Sequence, residues 1–314
     1  MYQDMKKNIL VTGSHRSGTT WVGKIMAKAK GAHYVHEPFN LSPELERKHS
    51  PLSYWFEYLD DETSREHQNK VKDYVNSFST VLHVNTIKRL VQIRRLGKLR
   101  KYFKDIVNRP LADRTIIKDP IAIMSAEWIY KNHDVDVVVL IRHPAAFVAS
   151  IKVKNWHFDF AQYEKQHALM KKHLSNYKAI INEFANNKKD IIDQGILLWN
   201  TIHEVILNYQ NKYEKEWHFV KHEDLSADPI LEFGKLFSGL GLDFDSKVQA
   251  YVNVTSNSEQ NSDIVKKSTA IANVNRNSSE NIKAWKKRLS EDEIERIKTG
   301  TKGLWEKFYV EDDW

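Results

Sequence analysis

Four short apolar runs punctuate the chain, and each is followed by residues with helical spacing. Asn8-Ile-Leu-Val-Thr12 is stopped by Gly13, and a helix is predicted from Gly18 with Trp21, Val22, Ile25 and Met26 on one face. Arg114-Thr-Ile-Ile117 ends in Lys118-Asp119-Pro120, with helical spacing from Ile121 to Lys131. Val135 to Ile141 is almost wholly branched, the pattern of a central parallel strand covered on both faces. Pro144 then suits the first turn of another helix. Trp217 to Lys221 is the fourth run, followed by Glu223-Asp-Leu and a helix from about Asp228 to Leu240. This alternation predicts an α/β fold: a central parallel sheet flanked by helices and joined by right-handed crossovers.

The longer intervals read as helical insertions or loops. Asp159 to Tyr213 is expected to hold two or more helices between the third and fourth runs. Residues 253–281 are more than half Asn, Ser and Thr, which predicts a polar surface loop. Ser290 and Glu293 have the spacing of a capping box at the start of a last helix. No repeat and no clean boundary is evident, so residues 1–314 are read as one elaborated domain.

Composition narrows the classes. The absence of cysteine excludes disulfides, thiolate catalysis and Cys-ligated zinc. Lys and Arg exceed Asp and Glu by 48 to 41, so an anionic partner is expected. Much of that excess lies in 88–109, where Lys88, Arg89, Arg94, Arg95, Lys98, Arg100, Lys101, Lys104 and Arg109 face one acid, Asp105. Leu90, Val91, Leu96, Leu99, Phe103 and Ile106 interleave with them, which reads as a basic amphipathic helical insertion. It is either a solvated face or a docking surface for an anionic or lipid-linked acceptor, with peripheral membrane contact in the second case. No run approaches the ~20 apolar residues of a membrane span, and the first residues lack a signal-peptide core. A soluble, cytoplasmic protein is expected.

The first candidate for chemistry is Gly13-Ser-His-Arg-Ser-Gly18-Thr19-Thr20, between a predicted strand and a predicted helix. In that setting the backbone N–H groups of the loop and the helix start converge on an anion. The spacing is that of G-x-x-x-x-G, but Thr19 stands where an ATP-hydrolysing loop needs lysine. The only cation in the loop is Arg16.

Arg16-Ser17-Gly18-Thr19-Thr20-Trp21 after a first strand resembles the phosphosulfate-binding loop of the sulfotransferases that use 3′-phosphoadenosine 5′-phosphosulfate (PAPS). The resemblance implies a P-loop-like sulfotransferase architecture with PAPS as donor and adenosine 3′,5′-bisphosphate (PAP) as product. It implies that Ser17, Gly18, Thr19 and Thr20 hold the 5′-phosphate while Arg16 neutralises the phosphosulfate. Arginine at this place is the style of the carbohydrate and tyrosylprotein branches; the cytosolic branch has lysine.

Alone, Arg142 at a strand end reads as an ordinary surface cation. With Ser150 eight residues on, it resembles the family's 3′-phosphate signature of strand, Arg, seven residues and Ser. Val220-Lys-His-Glu-Asp-Leu225 resembles the segment after the last core strand that touches adenine, with His222 in place of tyrosine. Arg276, nine residues before Trp285, resembles the late Arg-Lys-Gly segment over the 3′-phosphate, although Asn277 and Ser278 depart from it.

An acceptor hydroxyl also needs a base. Glu37, in His36-Glu37-Pro38, lies at the distance from the loop where carbohydrate and tyrosylprotein sulfotransferases keep a catalytic glutamate. His36 is the second candidate, because an unperturbed pKa of ~6.5 suits a base. Lys118 is a candidate second cation or acceptor contact. Nothing has the spacing of a metal site, so none is expected, and no nucleic-acid partner is expected. The reading is sulfuryl transfer from PAPS to a hydroxyl on a carbohydrate or glycolipid. The alternatives are a P-loop small-molecule kinase and a non-enzymatic module that binds anionic surfaces through 88–109.

Overall fold

The computed structural model describes residues 8–42, 50–78, 113–256 and 282–314. Five strands form one sheet: β1 Asn8–Gly13, β2 Ala32–His36, β3 Arg114–Lys118, β4 Val135–Ile141 and β5 His218–Lys221, in the order β2-β3-β1-β4-β5. Every pairing is parallel. β1 lies between β3 and β4, and the chain builds one half of the sheet before crossing to the other. Ligands of open α/β sheets bind at the carboxyl edge of such a switch point.

The main helices are α1 Thr19–Met26, α2 Arg65–Asn76, α3 Ala126–Asn132, α4 Pro144–Lys154, α5 Lys178–Asn186 and α6 Ile191–Tyr213. They continue with α7 His222–Ala227, α8 Pro229–Gly239, α9 Ser246–Ser256 and α10 Glu291–Gly300. One sheet face packs on α1, α8 and α9 through Val22, Ile25, Phe233, Phe237 and Val248. The other face carries a larger core that includes α3, α4 and α6, centred on Phe147, Trp199 and Ile202. β4 contributes to both faces, and six of its seven residues are buried. Each such side chain contributes ~1.5–3 kcal/mol of apolar burial, so β4 is the axis of the fold. No described helix is long and apolar enough to cross a membrane.

Several sequence-based expectations need correction. β2 was not foreseen: Ala-His-Tyr-Val-His is an edge strand with one neighbour, and only His33 is buried. An edge strand needs no apolar run, so its pattern was silent. α2 was also unforeseen; it buries only Val71, Tyr74 and Val75, and Ser64 caps it by accepting from His67 N at 3.3 Å. The helix expected over 121–131 divides into a 3-10 segment, Pro120–Ser125, followed by α3. Residues 120–125 are all buried, so burial there follows no helical period.

The first four residues of the expected 253–281 loop are instead the last turn of α9. Thr255 Oγ1 and Ser256 Oγ donate to carbonyls four residues back, at 2.9 and 2.8 Å, which accommodates hydroxyls within a helix. The rest of that loop, with Arg276, and the basic segment 88–109 lie outside the described residues. The capping box at Ser290 and Glu293 is formed on both sides.

At the end of β1, Gly13 has φ 131°, and a Cβ there would meet the Leu140 carbonyl oxygen at 2.3 Å. That oxygen belongs to the paired strand and cannot yield without breaking the ladder. Gly13→Ala is expected to lose on the order of 1–3 kcal/mol of stability, or more if β4 is displaced. Denaturant unfolding checks it; an unchanged midpoint and slope would contradict this account of the loop.

Candidate active site

The ends of the parallel strands bring most of the candidate residues to one edge. The glycine loop leaves β1, Glu37 follows β2, Lys118 ends β3, Arg142 follows β4, and His222 follows β5. Gly18, with φ 92°, is the N-cap of α1 and makes no side-chain cap bond. The N–H groups of the first helical turn therefore point out of the helix toward the loop. Ser17 is fully buried, and its hydroxyl donates to the Ser14 carbonyl.

Arg16 is the hub of the two candidate phosphate sites. Its backbone is left-handed, φ 66°, which turns its carbonyl toward β4. Arg142 Nη1 donates to that carbonyl. The Arg16 Nε donates to Ser150 Oγ at 2.8 Å, across 134 positions of sequence. Ser150 sits in α4, which is buried from Pro144 through Ile151. Trp199 Nε1 fixes the Arg142 backbone by donating to its carbonyl at 2.9 Å. Arg142 Nε is buried with no hydrogen-bond partner among the described residues. A buried guanidinium N–H without an acceptor is costly, and a phosphate oxygen would satisfy it.

His222 packs against the loop from below. A Cβ on Gly18 would meet His222 Nδ1 at 2.4 Å, so only glycine admits the ring so close. Its ring also lies edge-on to Trp21, with centroids 5.9 Å apart. Burial, followed by the Arg142 charge, holds the imidazole far below its ordinary pKa, so it is neutral. Its Nδ1 is buried without a partner among the described residues.

On the other side of β1, Glu37 has a left-handed backbone, φ 43°. Its N–H donates to the Lys118 carbonyl at 2.6 Å, which extends the β2–β3 ladder by one bond. The Lys118 ammonium, wholly buried, donates to Glu37 Oε1, and Asn40 Nδ2 donates to Oε2 at 3.0 Å. Burial pushes the Glu37 carboxyl up, but Lys118, His36 and Asn40 together hold it below the usual glutamate range. His36 Nε2 is 4.0 Å from Glu37 Oε1, and Tyr34 OH is 3.1 Å from its Nδ1.

Four more residues at this edge were quoted in the sequence motifs or near them but given no role. Asp119 is buried and accepts from Phe39 N at 2.7 Å and Ile121 N at 3.1 Å, so it ties the Glu37 loop to β3. Burial pushes its carboxyl up to about 7. His15 is wedged between the Phe56, Phe147 and Trp156 rings, at 5.6, 5.1 and 6.1 Å. Burial, and then Arg16, pull it down to about 3, so it adds no charge to the loop. Trp156 receives the Arg16 guanidinium 5.6 Å from its ring centroid. Glu223 accepts from His143 N at 3.2 Å and from Tyr309 OH at 2.9 Å, and its charge faces Arg142. Only its acidic character and its place after a strand were visible in the sequence; the partner Tyr309 lies 86 positions away.

These features define a class of α/β protein: a strand–glycine loop–helix unit for an anion, with further cations at the same sheet edge. Residues 8–246 match the model of the sulfotransferase family, and the chain belongs to that family. Sulfuryl transfer is the activity that membership carries. Among solved structures, the sulfotransferase domain from the curacin biosynthetic pathway is 15% identical, covering 95% of this chain and 97% of that one, with TM-score 0.49. The sulfotransferase domain from the Synechococcus PCC 7002 olefin synthase is 16% identical over 95% and 97%, TM-score 0.46. Sulfotransferase STF9 from Mycobacterium avium is 12% identical over 98% and 78%, TM-score 0.45. No curated protein matches the chain.

The Glu37–Lys118 pair makes a titration prediction. A depressed folded-state pKa means that the pair stabilises the fold above the ordinary glutamate range and loses that contribution as pH falls through the folded value. Lys118→Met removes the ammonium and leaves the burial, so the Glu37 carboxyl is expected to titrate above 4.5, the ordinary value. Carboxyl-carbon NMR of labelled glutamate reads this directly. A Glu37 resonance that titrates as in the wild type would show that Lys118 does not set its charge.

Proposed function

We propose that residues 1–314 form one PAPS-dependent sulfotransferase domain that moves the sulfuryl group to a hydroxyl of a carbohydrate or glycolipid acceptor. The observation that carries this reading is the joining of Arg16, Ser150 and Arg142 by direct hydrogen bonds at the β1–β4 edge. Those bonds support a pair of neighbouring anion sites, which a nucleotide with phosphates at both 3′ and 5′ positions requires. The unpartnered Arg142 Nε and the close fit of His222 under Gly18 support the same ligand.

In this reading Arg142 and Ser150 hold the 3′-phosphate, and Arg276 joins them. Ser17, Gly18, Thr19 and Thr20 hold the 5′-phosphate with backbone and hydroxyl donors. Arg16 neutralises the bridging oxygen as the S–O bond breaks. His222 and Trp21 line the adenine side. The protein's own cations meet the donor's charge, and the reading needs no metal.

Glu37 takes the acceptor proton. Held low by Lys118, it is ionised at neutral pH but is a weak base. That suits a hydroxyl whose acidity rises as its oxygen bonds to sulfur, so the proton moves late. Lys118 steadies the carboxylate beforehand and is the second cation near the reacting group. His36 stands next in line to pass the proton outward.

The donor sites and the base are tested separately. Losing a charge-assisted phosphate contact costs roughly 1.5–3 kcal/mol, or about 10- to 150-fold in Kd. Arg142→Ala is therefore expected to weaken PAP by that factor and AMP much less, as measured by calorimetry. Equal losses for the two nucleotides would remove Arg142 from the 3′ position. Glu37→Gln keeps the shape and removes the basicity, so turnover should fall by roughly 10²–10⁴ while PAP affinity holds. A full rate from that variant beside an inactive His36→Ala protein would transfer the role to His36.

A further inference from the structure

Arg142 and Glu223 follow neighbouring strands, β4 and β5, and emerge at the same edge of the sheet. Of the charges around Arg142, Glu223 acts on it most strongly, ahead of Arg16 and Arg288. Yet no hydrogen bond joins the two among the described residues. Arg142 gives Nη1 to the Arg16 carbonyl, and its Nε has no partner there. Glu223 gives one oxygen to each of two other donors. Oε1 accepts from His143 N, the peptide N–H next to Arg142, at 3.2 Å. Oε2 accepts from Tyr309 OH at 2.9 Å.

Both donors are themselves held. The His143 ring stacks on Trp285, with centroids 5.3 Å apart, and meets Trp314 edge-on at 4.4 Å. Tyr309 is buried and packs edge-on against the same imidazole at 5.0 Å. Burial, followed by the Glu223 charge, keeps the Tyr309 phenol protonated, so it remains a donor. The carboxylate is therefore fixed beside the guanidinium as a separate anion. A carboxylate that neutralised Arg142 would contact it, as Glu37 contacts Lys118. Held where it is, Glu223 leaves the Arg142 N–H open to a phosphate and repels that phosphate once bound.

We propose that Glu223 limits the hold on the 3′-phosphate and so sets how fast PAP leaves the protein. The inference rests on the donor site proposed above and adds a release determinant to it. Arg142 supplies the attraction, and the fixed carboxylate subtracts from it. Affinity differences within one site appear mainly in dissociation rates, so a standing repulsion shortens the life of the product complex. AMP carries no 3′-phosphate and meets far less of this repulsion. A role confined to bracing the first turn of α4 makes the opposite prediction. Loss of such a brace would loosen Arg142 and Ser150 and weaken PAP.

Glu223→Gln removes the charge and keeps the frame, because its carbonyl can accept from His143 N and its amide can donate to the Tyr309 oxygen. PAP affinity by calorimetry is expected to rise about tenfold, the effect of one nearby unit charge at an effective dielectric of about 20. AMP affinity should change by less than about twofold. PAP displacement in stopped flow should slow by the factor that the affinity gains. Unchanged or weaker PAP binding overturns the proposal, and so does an equal gain for AMP. The wild type gives a second reading that needs no folded variant. If Glu223 weakens PAP, then PAP must by linkage raise the Glu223 carboxyl. Carboxyl-carbon NMR of labelled glutamate should show Glu223 titrating higher in the PAP complex than in the AMP complex; identical titration overturns the proposal. A wild-type protein that binds PAP no better than AMP would instead overturn the donor-site reading beneath it.

Discussion

The parallel ladder around β1 is the constraint on which the rest depends. Gly13 pairs with Leu140 on one side, and Val11 pairs with Lys118 on the other. Because all five strands run the same way, every residue that follows a strand emerges at one edge. A slip of one residue in either register would turn Lys118 or the end of β4 to the opposite sheet face. The glycine loop, Glu37, Lys118, Arg142 and His222 are thus gathered by backbone hydrogen bonding before any side chain contributes. Burial of β4 on both faces makes that register costly to change.

Charge at this edge is controlled mainly by removal of water. His15, His143 and His222 are all pulled well below the ordinary histidine range, with burial the largest cause in each. They are neutral shape-fillers, so the positive charge of the glycine loop and of the ends of β3 and β4 rests on Arg16, Lys118 and Arg142. Two carboxylates balance them differently. Glu37 touches Lys118 directly and is held low. Glu223 is buried further from Arg142, and burial raises its carboxyl despite that charge. One cation thus has its partner in contact, whereas Arg142 keeps an N–H without a partner among the described residues. Under the proposed function that difference separates a group that manages the acceptor proton from one that grips the donor.

Distant chain segments supply the rigidity of the site. His143 stacks on Trp285 and meets Tyr309 and Trp314 edge-on. Tyr309 reaches Glu223, which in turn holds His143 N. The first turn of α4, and with it the approach to Ser150, is braced by residues from the last part of the chain. α10 adds to this brace, since Glu293 pairs with Lys152 on α4 at 2.7 Å.

The sequence by itself determined the strands that are buried and the loop that is rich in glycine. β1, β3 and β4 carry apolar runs because they are covered on both faces, whereas β5, at the other edge, is half-buried throughout. Gly13 and Gly18 mark positive-φ backbone that L side chains rarely adopt. Arg16, Arg142, Ser150 and Glu37 were singled out through their resemblance to family motifs, and the bonds of Arg16 to Ser150 and Arg142 bring three of them together. Tertiary structure alone decided the edges and the pairings. β2 is half-exposed and needed no apolar pattern, and α9 hides its polar last turn in hydroxyl bonds to its own carbonyls. No local signal says that Arg16 meets Ser150, that Lys118 meets Glu37, or that Tyr309 meets Glu223. These contacts join residues 81 to 134 positions apart. Local sequence encodes propensity and pattern, whereas partners across such separations exist only once the sheet has set its register and the helices have packed.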